Sequence, residues 1–253
     1  MTGRAIAAIV FICVFAGALG GLALRARVPD RYFDADSRDA MGLVIALVST
    51  VTAMVLSLLV NSSNSLLNTQ QSEVQQLSAH FVELDHRLAL YGPETKEIRA
   101  MLREVIAAEI QRLWQPGSAA SDDLATAPAT LAGDDVYARI LALNPQSDTQ
   151  RFSQSHALQS VTEMAHIRLL MNEQASQAIP WPFLSILVFW LVVLFAGFGL
   201  LARRSAIMVT SLFVGALVVA GALFLVVEMR HGYTGLIQIS SAPLKNALAQ
   251  IGR

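Results

Sequence analysis

The chain has 253 residues and a net charge of −1, and 54% of its residues are hydrophobic whereas 15% are charged. Because a typical soluble domain has about 25% charged residues, this composition predicts a protein that lies in a bilayer. The balanced charge and the absence of a basic run argue against a nucleic-acid partner.

No residue pattern points to a catalytic or metal site. The single cysteine, Cys13, lies in an apolar run and cannot form a disulfide within the chain, so we interpret it as a buried apolar thiol. The five histidines have no metal-ligand spacing. Glu228 alone approaches membrane depth, and we expect it to reach the surface rather than to relay protons. We therefore expect no enzyme activity, no metal and no cofactor.

The first apolar run, residues 5–24, is bounded by Arg4 and Arg25. About 20 apolar residues are enough for a helix that crosses a bilayer core of about 30 Å. A cleaved signal peptide is the alternative, but its apolar region is usually shorter. Gly17 and Gly21 form a pair of small residues four apart, which permits close contact with another helix.

The second run, residues 41–60, follows Ser37, a candidate N-cap. It carries four hydroxyl side chains, Ser49, Thr50, Thr52 and Ser57, which can bond to carbonyls of their own helix. The third and fourth runs, residues 181–201 and 206–229, are joined by a short turn and predict a helical hairpin. Trp181 fits an anchor at the membrane interface.

An even number of spans places both termini, a soluble domain at 61–180 and a tail at 231–253 on one side of the membrane. The connector 25–40 and the turn 203–204 carry slightly more basic residues than the opposite side. The positive-inside rule therefore favours an extracytoplasmic domain by a thin margin.

The second helix is predicted to continue far beyond the bilayer, because neither proline nor glycine interrupts residues 43–91. Gly92-Pro93 then ends it. Outside the membrane its apolar residues form a coiled-coil-like apolar seam of Leu67, Val74, Leu77, Phe81, Leu84 and Leu88. We expect this seam to pack on the chain's own domain or on a neighbouring subunit.

The rest of the domain also has helical periodicity, and no segment alternates like a strand, so the fold class is all-α. We predict helices over 94–114 and 148–177, an exposed loop over 115–135, and a final short helix over 242–251 capped by Ser240. The helix over 148–177 is expected to bury the face of Leu158, Val161, Ala165 and Leu169.

A polar stripe follows one face of the second helix across the membrane boundary. Its members are Thr50, Ser57, Asn61, Asn64, Asn68 and Gln75, at spacings of seven, four, three, four and seven residues. In a symmetric oligomer such a stripe can line a hydrated path. In the alternative interpretation the hydroxyls bond to their own helix and the amides face water outside the membrane.

Several sequence elements in combination resemble the prokaryotic bestrophin-like domain family. They are Asp36-Ser37-Arg38-Asp39, Leu84-Asp85, Tyr91-Gly92-Pro93-Glu94, Arg151, Gln159, Phe189-Trp190, the tail residues 235–240 and Pro243-Leu244. More distantly, the layout is similar to that of the bestrophin channels, which are pentamers with four membrane helices per subunit and the second helix around one pore. This resemblance implies a cytoplasmic domain in a bacterial inner membrane and slightly outweighs the arginine count. No acidic cluster matches the calcium clasp of the animal channels.

Two functions remain open from the sequence. The first is a homo-oligomeric channel for monovalent ions, expected as a pentamer, with a pore lined by Ser49, Thr50, Ala53, Ser57, Asn61 and Asn64. Residues 61–86 contain no lysine or arginine but do contain Glu73, Glu83 and Asp85, so a vestibule there would favour cations over anions. The second is a membrane-anchored scaffold or sensor whose apolar seam binds a partner protein.

Overall fold

The computed structural model describes residues 3–27, 35–114, 128–176, 181–202, 205–230, 232–233 and 237–252. These ranges are predominantly helical and contain no strand. The helices are α1 Gly3–Arg27, α2 Ala35–Tyr91, α3 Lys96–Trp114, α4 Pro128–Leu141, α5 Asp148–Ser176, α6 Trp181–Leu201, α7 Ala206–Met229 and α8 Ala242–Gln250, with a short 3-10 helix at Pro93–Thr95. Within the described chain, α1, α2, α6 and α7 are long and apolar enough to cross a membrane, which confirms the predicted fold class with four candidate membrane-spanning helices.

Local interactions explain where several helices begin and end. The chain leaves α2 at Gly92, whose φ of 138° lies in the region that favours glycine. Just beyond it, the Thr95 hydroxyl donates to the carbonyl of Leu88 at 2.6 Å. At the start of α7, the Ser205 hydroxyl accepts from the backbone N–H of Met208 at 3.2 Å. The side chains of Ser37 and Trp181 lie outside the described part of the structure.

The chain divides into two compact units, and the first comprises residues 1–65 and 178–230. Its core is apolar and includes Val14, Leu191, Ala216 and Leu223. α1 packs closely on α6 because small residues meet there: a Cβ on Gly21 would collide with the carbonyl oxygen of Ala196. The expected close helix contact at Gly17 and Gly21 is thus present.

The second unit comprises residues 66–177 and 231–253. The apolar seam of α2 forms the centre of its core, where five of its six members are 0–1% exposed and Leu67 is partly buried. Residues of α3, α4, α5 and α8 cover the seam. Of the two partners that the sequence left open, the chain's own domain is the one observed.

Two predictions for this unit need correction, although residues 115–127 of the predicted loop lie outside the described part of the chain. Residues 128–135 belong to α4 rather than to a loop, because Val136 and Ile140, one turn apart, are buried and stabilise the helix through packing. On α5, Ala165 and Leu169 are exposed. The buried side instead carries Ala157, Val161, Met164, Ile167 and Met171, since methionine and alanine fill the space beside α2 and α3 as well as leucine would.

Two smaller expectations also need correction. Cys13 is exposed rather than buried, because it lies on the side of α1 that faces away from its neighbours. The N-cap of α8 is Ser241, one residue later than predicted. The Ser240 hydroxyl nevertheless accepts from the N–H of Ala242 at 3.2 Å.

Candidate permeation face

The polar stripe lies on the open side of α2. All six of its members, Thr50, Ser57, Asn61, Asn64, Asn68 and Gln75, are exposed, and so is Ala53 beside them. Ser49 is half-buried at the edge of the stripe. At about 100° per residue, these positions share one side of a single unbroken helix.

The opposite side of α2 is the one that packs on the rest of the chain. Within the first unit it carries Thr52, Leu59 and Ser63, which are 5%, 6% and 0% exposed. Within the second unit it carries Gln70, Val74 and Leu77, all 3% exposed or less. From Thr50 to Asn68 the polar stripe therefore points away from the packed side of α2, whereas Gln75 lines a pocket with Pro243 and Asn246.

α2 is also the least covered of the four apolar helices. Its most apolar window is 11% buried, against 28–33% for the corresponding windows of α1, α6 and α7. About a quarter turn from the polar stripe, α2 exposes a second, apolar face. That face includes Leu47, Val51 and Leu58, which are 66%, 44% and 60% exposed, and Met54, 67% exposed, lies between it and the polar stripe.

Hydroxyl groups in the membrane part of α2 bond to their own helix. Thr50 donates to the carbonyl of Ala46 at 2.9 Å, and Ser49 donates to that of Ile45 at 2.7 Å. Thr52, on the packed side, does the same with Val48. Such bonds satisfy the hydroxyl proton and leave the oxygen lone pairs of Thr50 on the exposed side free to meet water or a cation.

The three acids expected in a vestibule occupy different environments. Asp85 is 8% exposed and Glu73 is 7% exposed, so both lie inside the second unit rather than on an open face. Glu83 is exposed and lies 3.5 Å from Arg87 and 4.0 Å from His80. Of the three, only Glu83 therefore presents its carboxylate to solvent.

Sequence reasoning missed a second polar feature, a buried acid on α3. Glu109 is 0% exposed, and Arg112 donates to it. Its position one turn after Val105 and Ile106 places an acid within an apolar stripe, which is a signal that the sequence contained. Among the described residues, no group of three His, Cys, Asp or Glu side chains could hold a metal ion.

Comparison with known proteins supports the architecture of four apolar helices and a helical domain. A family model, the Bestrophin-like domain, matches residues 12–244. No curated protein and no solved structure matches the chain. Because the family match covers most of its length, the chain belongs to the bestrophin-like family, which is related to the bestrophin channels.

Proposed function

We propose that the protein is a homo-oligomeric ion channel, with α2 of each subunit around a central pore and five subunits in the assembly. The observation that carries this proposal is the exposed polar stripe opposite the packed side of α2. Polar groups at membrane depth are unfavourable against lipid. They are stabilised when several copies of the helix enclose water between them.

The exposed apolar face of α2 supports the same assembly. Leu47, Val51 and Leu58 lie beside the polar stripe rather than opposite it. In a ring of subunits, side chains at this angle contact the neighbouring subunit while the stripe faces the axis. The pore-lining set in this proposal is Ser49, Thr50, Ala53, Ser57, Asn61 and Asn64.

Within this proposal the channel prefers monovalent cations to anions. No lysine or arginine lies between Arg38 and Arg87 on α2, and the hydroxyl and carboxamide oxygens of the polar stripe can replace part of a cation's hydration shell. Glu83 supplies the exposed negative charge beyond the bilayer, although Arg87 compensates part of it. We place the protein in a bacterial inner membrane with its domain in the cytoplasm, following its family.

The alternative function, a scaffold that binds a partner through the apolar seam, has less support. Val74, Leu77, Phe81, Leu84 and Leu88 are already buried by the chain's own helices. A partner could reach them only after the domain opened. A scaffold would therefore have to use another surface.

Ion flux from liposomes tests the proposal. The purified protein is reconstituted with K⁺, Na⁺ or Cl⁻ gradients, and the wild type is compared with Thr50→Leu and Ser57→Leu. We expect K⁺ and Na⁺ flux above Cl⁻ flux, and a reduction of at least about tenfold in both variants, because leucine rings dehydrate the path. Ser211→Leu makes the same change at an exposed serine of α7, whose hydroxyl donates to the carbonyl of Ile207; it is the matched control and should conduct like the wild type.

The subunit number is measured on the same samples by native mass spectrometry or light scattering, with five as the expected value. An intact oligomer that passes no ion over a range of pH would overturn the channel proposal. Equal flux in the wild type and in both leucine variants would show that the polar stripe does not line the pore.

A further inference from the structure

The second unit contains a cluster of buried and half-buried ionisable and amide side chains that the proposed pore does not use. It joins α2, α3, α5 and the segment that follows α7. Its members are Glu73, Glu109, Arg112, Arg168, Gln174 and Tyr233. Glu73 belongs to α2, the same helix that carries the polar stripe.

We propose that Glu73 is a proton-binding site, and that its loss of a proton changes the packing of Gly232 and Tyr233 on α2. The effect of this switch on ion flux rests on the proposed channel function, whereas the switch itself does not. The two buried acids of the cluster differ in a way that singles out Glu73.

Glu109 has cationic partners. Arg112 donates to Glu109 Oε1, and Arg168 Nη2 lies 3.5 Å from Glu109 Oε2. Arg168 itself lies over the ring of Phe81, 5.7 Å from its centroid. A buried carboxylate flanked by two guanidinium groups is compensated in its ionised form.

Glu73 has a neutral partner instead. The Gln174 amide donates to Glu73 Oε1, and Glu73 Oε2 is buried without a hydrogen-bond partner in the described structure. Burial raises the pKa of Glu73, and the bond from Gln174 opposes part of that rise. A buried carboxylate without a compensating cation is more stable when protonated.

The Tyr233 ring is the group that connects this site to the segment after α7. Burial raises the pKa of Tyr233, and the charges of Glu73, Glu109 and Arg112 act on it, so its hydroxyl stays neutral. Its ring meets Trp114 edge to face, with centroids 5.7 Å apart. Gly232, the residue before Tyr233, lies against Gln70 of α2, since a Cβ on Gly232 would come within 2.9 Å of Gln70 Oε1. Gln70 is one turn before Glu73, so a change of charge at Glu73 alters the surroundings of Gly232 and Tyr233.

One side-chain hydrogen bond joins Ile239 to α3, and one backbone hydrogen bond joins Ile239 to Gly232. Trp114 Nε1 donates to the carbonyl of Ile239 at 2.8 Å, and the N–H of Ile239 donates to the carbonyl of Gly232 at 2.7 Å. Trp114 consequently contacts both Tyr233 and Ile239. Its indole fluorescence reports any change in this packing.

The test is a pH titration of Trp114 fluorescence in the full-length protein, with Trp181→Phe and Trp190→Phe present so that one tryptophan remains. We expect a one-proton transition whose midpoint lies above 4.5, the ordinary pKa of glutamic acid. Glu73→Gln should abolish the transition. The side-chain carbonyl of the introduced glutamine still accepts from Gln174, but the amide does not titrate. Glu83→Gln, an exposed acid on the same helix, should leave the transition unchanged.

A second variant tests the direction in which the midpoint moves, and it remains informative if Glu73→Gln does not fold. Gln174→Met keeps the size of the side chain but removes the hydrogen bond that lowers the pKa of Glu73, so the midpoint should move to higher pH. A transition that survives in Glu73→Gln, a midpoint that falls in Gln174→Met, or no transition in the wild type would overturn the proposal.

Flux measured on the same variants separates this proposal from the channel. If the fluorescence transition follows Glu73 but no ion passes, the switch stands and the channel proposal fails. If ions pass without any such transition, the channel stands and the switch fails. If both hold, wild-type flux changes across the transition and Glu73→Gln flux does not.

Discussion

Asp85 on α2 and Arg99 on α3 form a two-point ion pair, with Arg99 Nε 2.7 Å from Asp85 Oδ1 and Nη2 2.8 Å from Oδ2. The N–H of Gly252 also donates to Oδ2 at 3.4 Å. Asp85 therefore joins three parts of the second unit. This geometry makes it a structural residue rather than a vestibule charge.

Replacement of Asp85 by asparagine should lower stability without changing ion preference. Loss of the charged partner from a largely buried pair costs about 1.5–3 kcal/mol, so the melting temperature in detergent should fall by several degrees. Glu83→Gln is the matched change at an exposed acid and should leave the melting temperature within experimental error. A drop in cation preference in Asp85→Asn but not in Glu83→Gln would contradict this assignment.

The contact between α1 and α6 should be sensitive to a single methyl group. Gly21→Ala places a Cβ against the carbonyl of Ala196, and overpacking of this kind costs about 1–3 kcal/mol. Gly20→Ala, where nothing lies within 4 Å of the added Cβ, is the neighbouring control. Thermal unfolding of both variants in the same detergent gives the comparison, and equal melting temperatures would show that α1 does not pack this way.

The apolar seam should behave as a core. Leu77 is 0% exposed, so Leu77→Ala should reduce the free energy of unfolding by about 2–5 kcal/mol. Leu90 is on the same helix but 55% exposed, and Leu90→Ala should change it by less than about 0.5 kcal/mol. Chemical denaturation measures both. A small effect at Leu77 would instead favour a seam that is free to bind a partner.

Stability should depend on pH through Glu73. The pKa of Glu73 in the folded protein is raised above 4.5 by burial, so its contribution is fully present below pH 4.5 and is lost as pH rises through the folded pKa. The Glu73→Gln variant has no carboxyl at this position and does not lose stability in this way. The melting temperature of the variant relative to the wild type should therefore increase as pH rises from 4.5, and a difference that is constant with pH would contradict the prediction.

The elements that depend on local pattern could be predicted from the sequence. Apolar length identified the four spans, and the absence of proline and glycine from residues 43–91 predicted the unbroken α2. The exposed polar stripe followed from helical spacing alone. In each case the information lies within one helix.

Features that depend on contacts between helices were missed. The burial of Glu73 and Asp85 requires Gln174 and Arg99, which lie 101 and 14 residues away in sequence. α4 was hidden because Gly133 and two aspartates weaken its local signal, while its stability comes from Val136 and Ile140 in the core. The buried face of α5 was ambiguous since apolar residues occur on both of its sides.

Cysteine accessibility tests most directly whether the polar stripe faces a hydrated path. Cys13 is the sole native cysteine, so Cys13→Ala gives a background in which Ser57→Cys and Leu58→Cys are compared in proteoliposomes with a membrane-impermeant, charged thiol reagent. We expect rapid modification and block of flux at position 57, and little reaction at position 58. Equal reactivity at the two positions, or modification at position 57 that leaves flux unchanged, would contradict it.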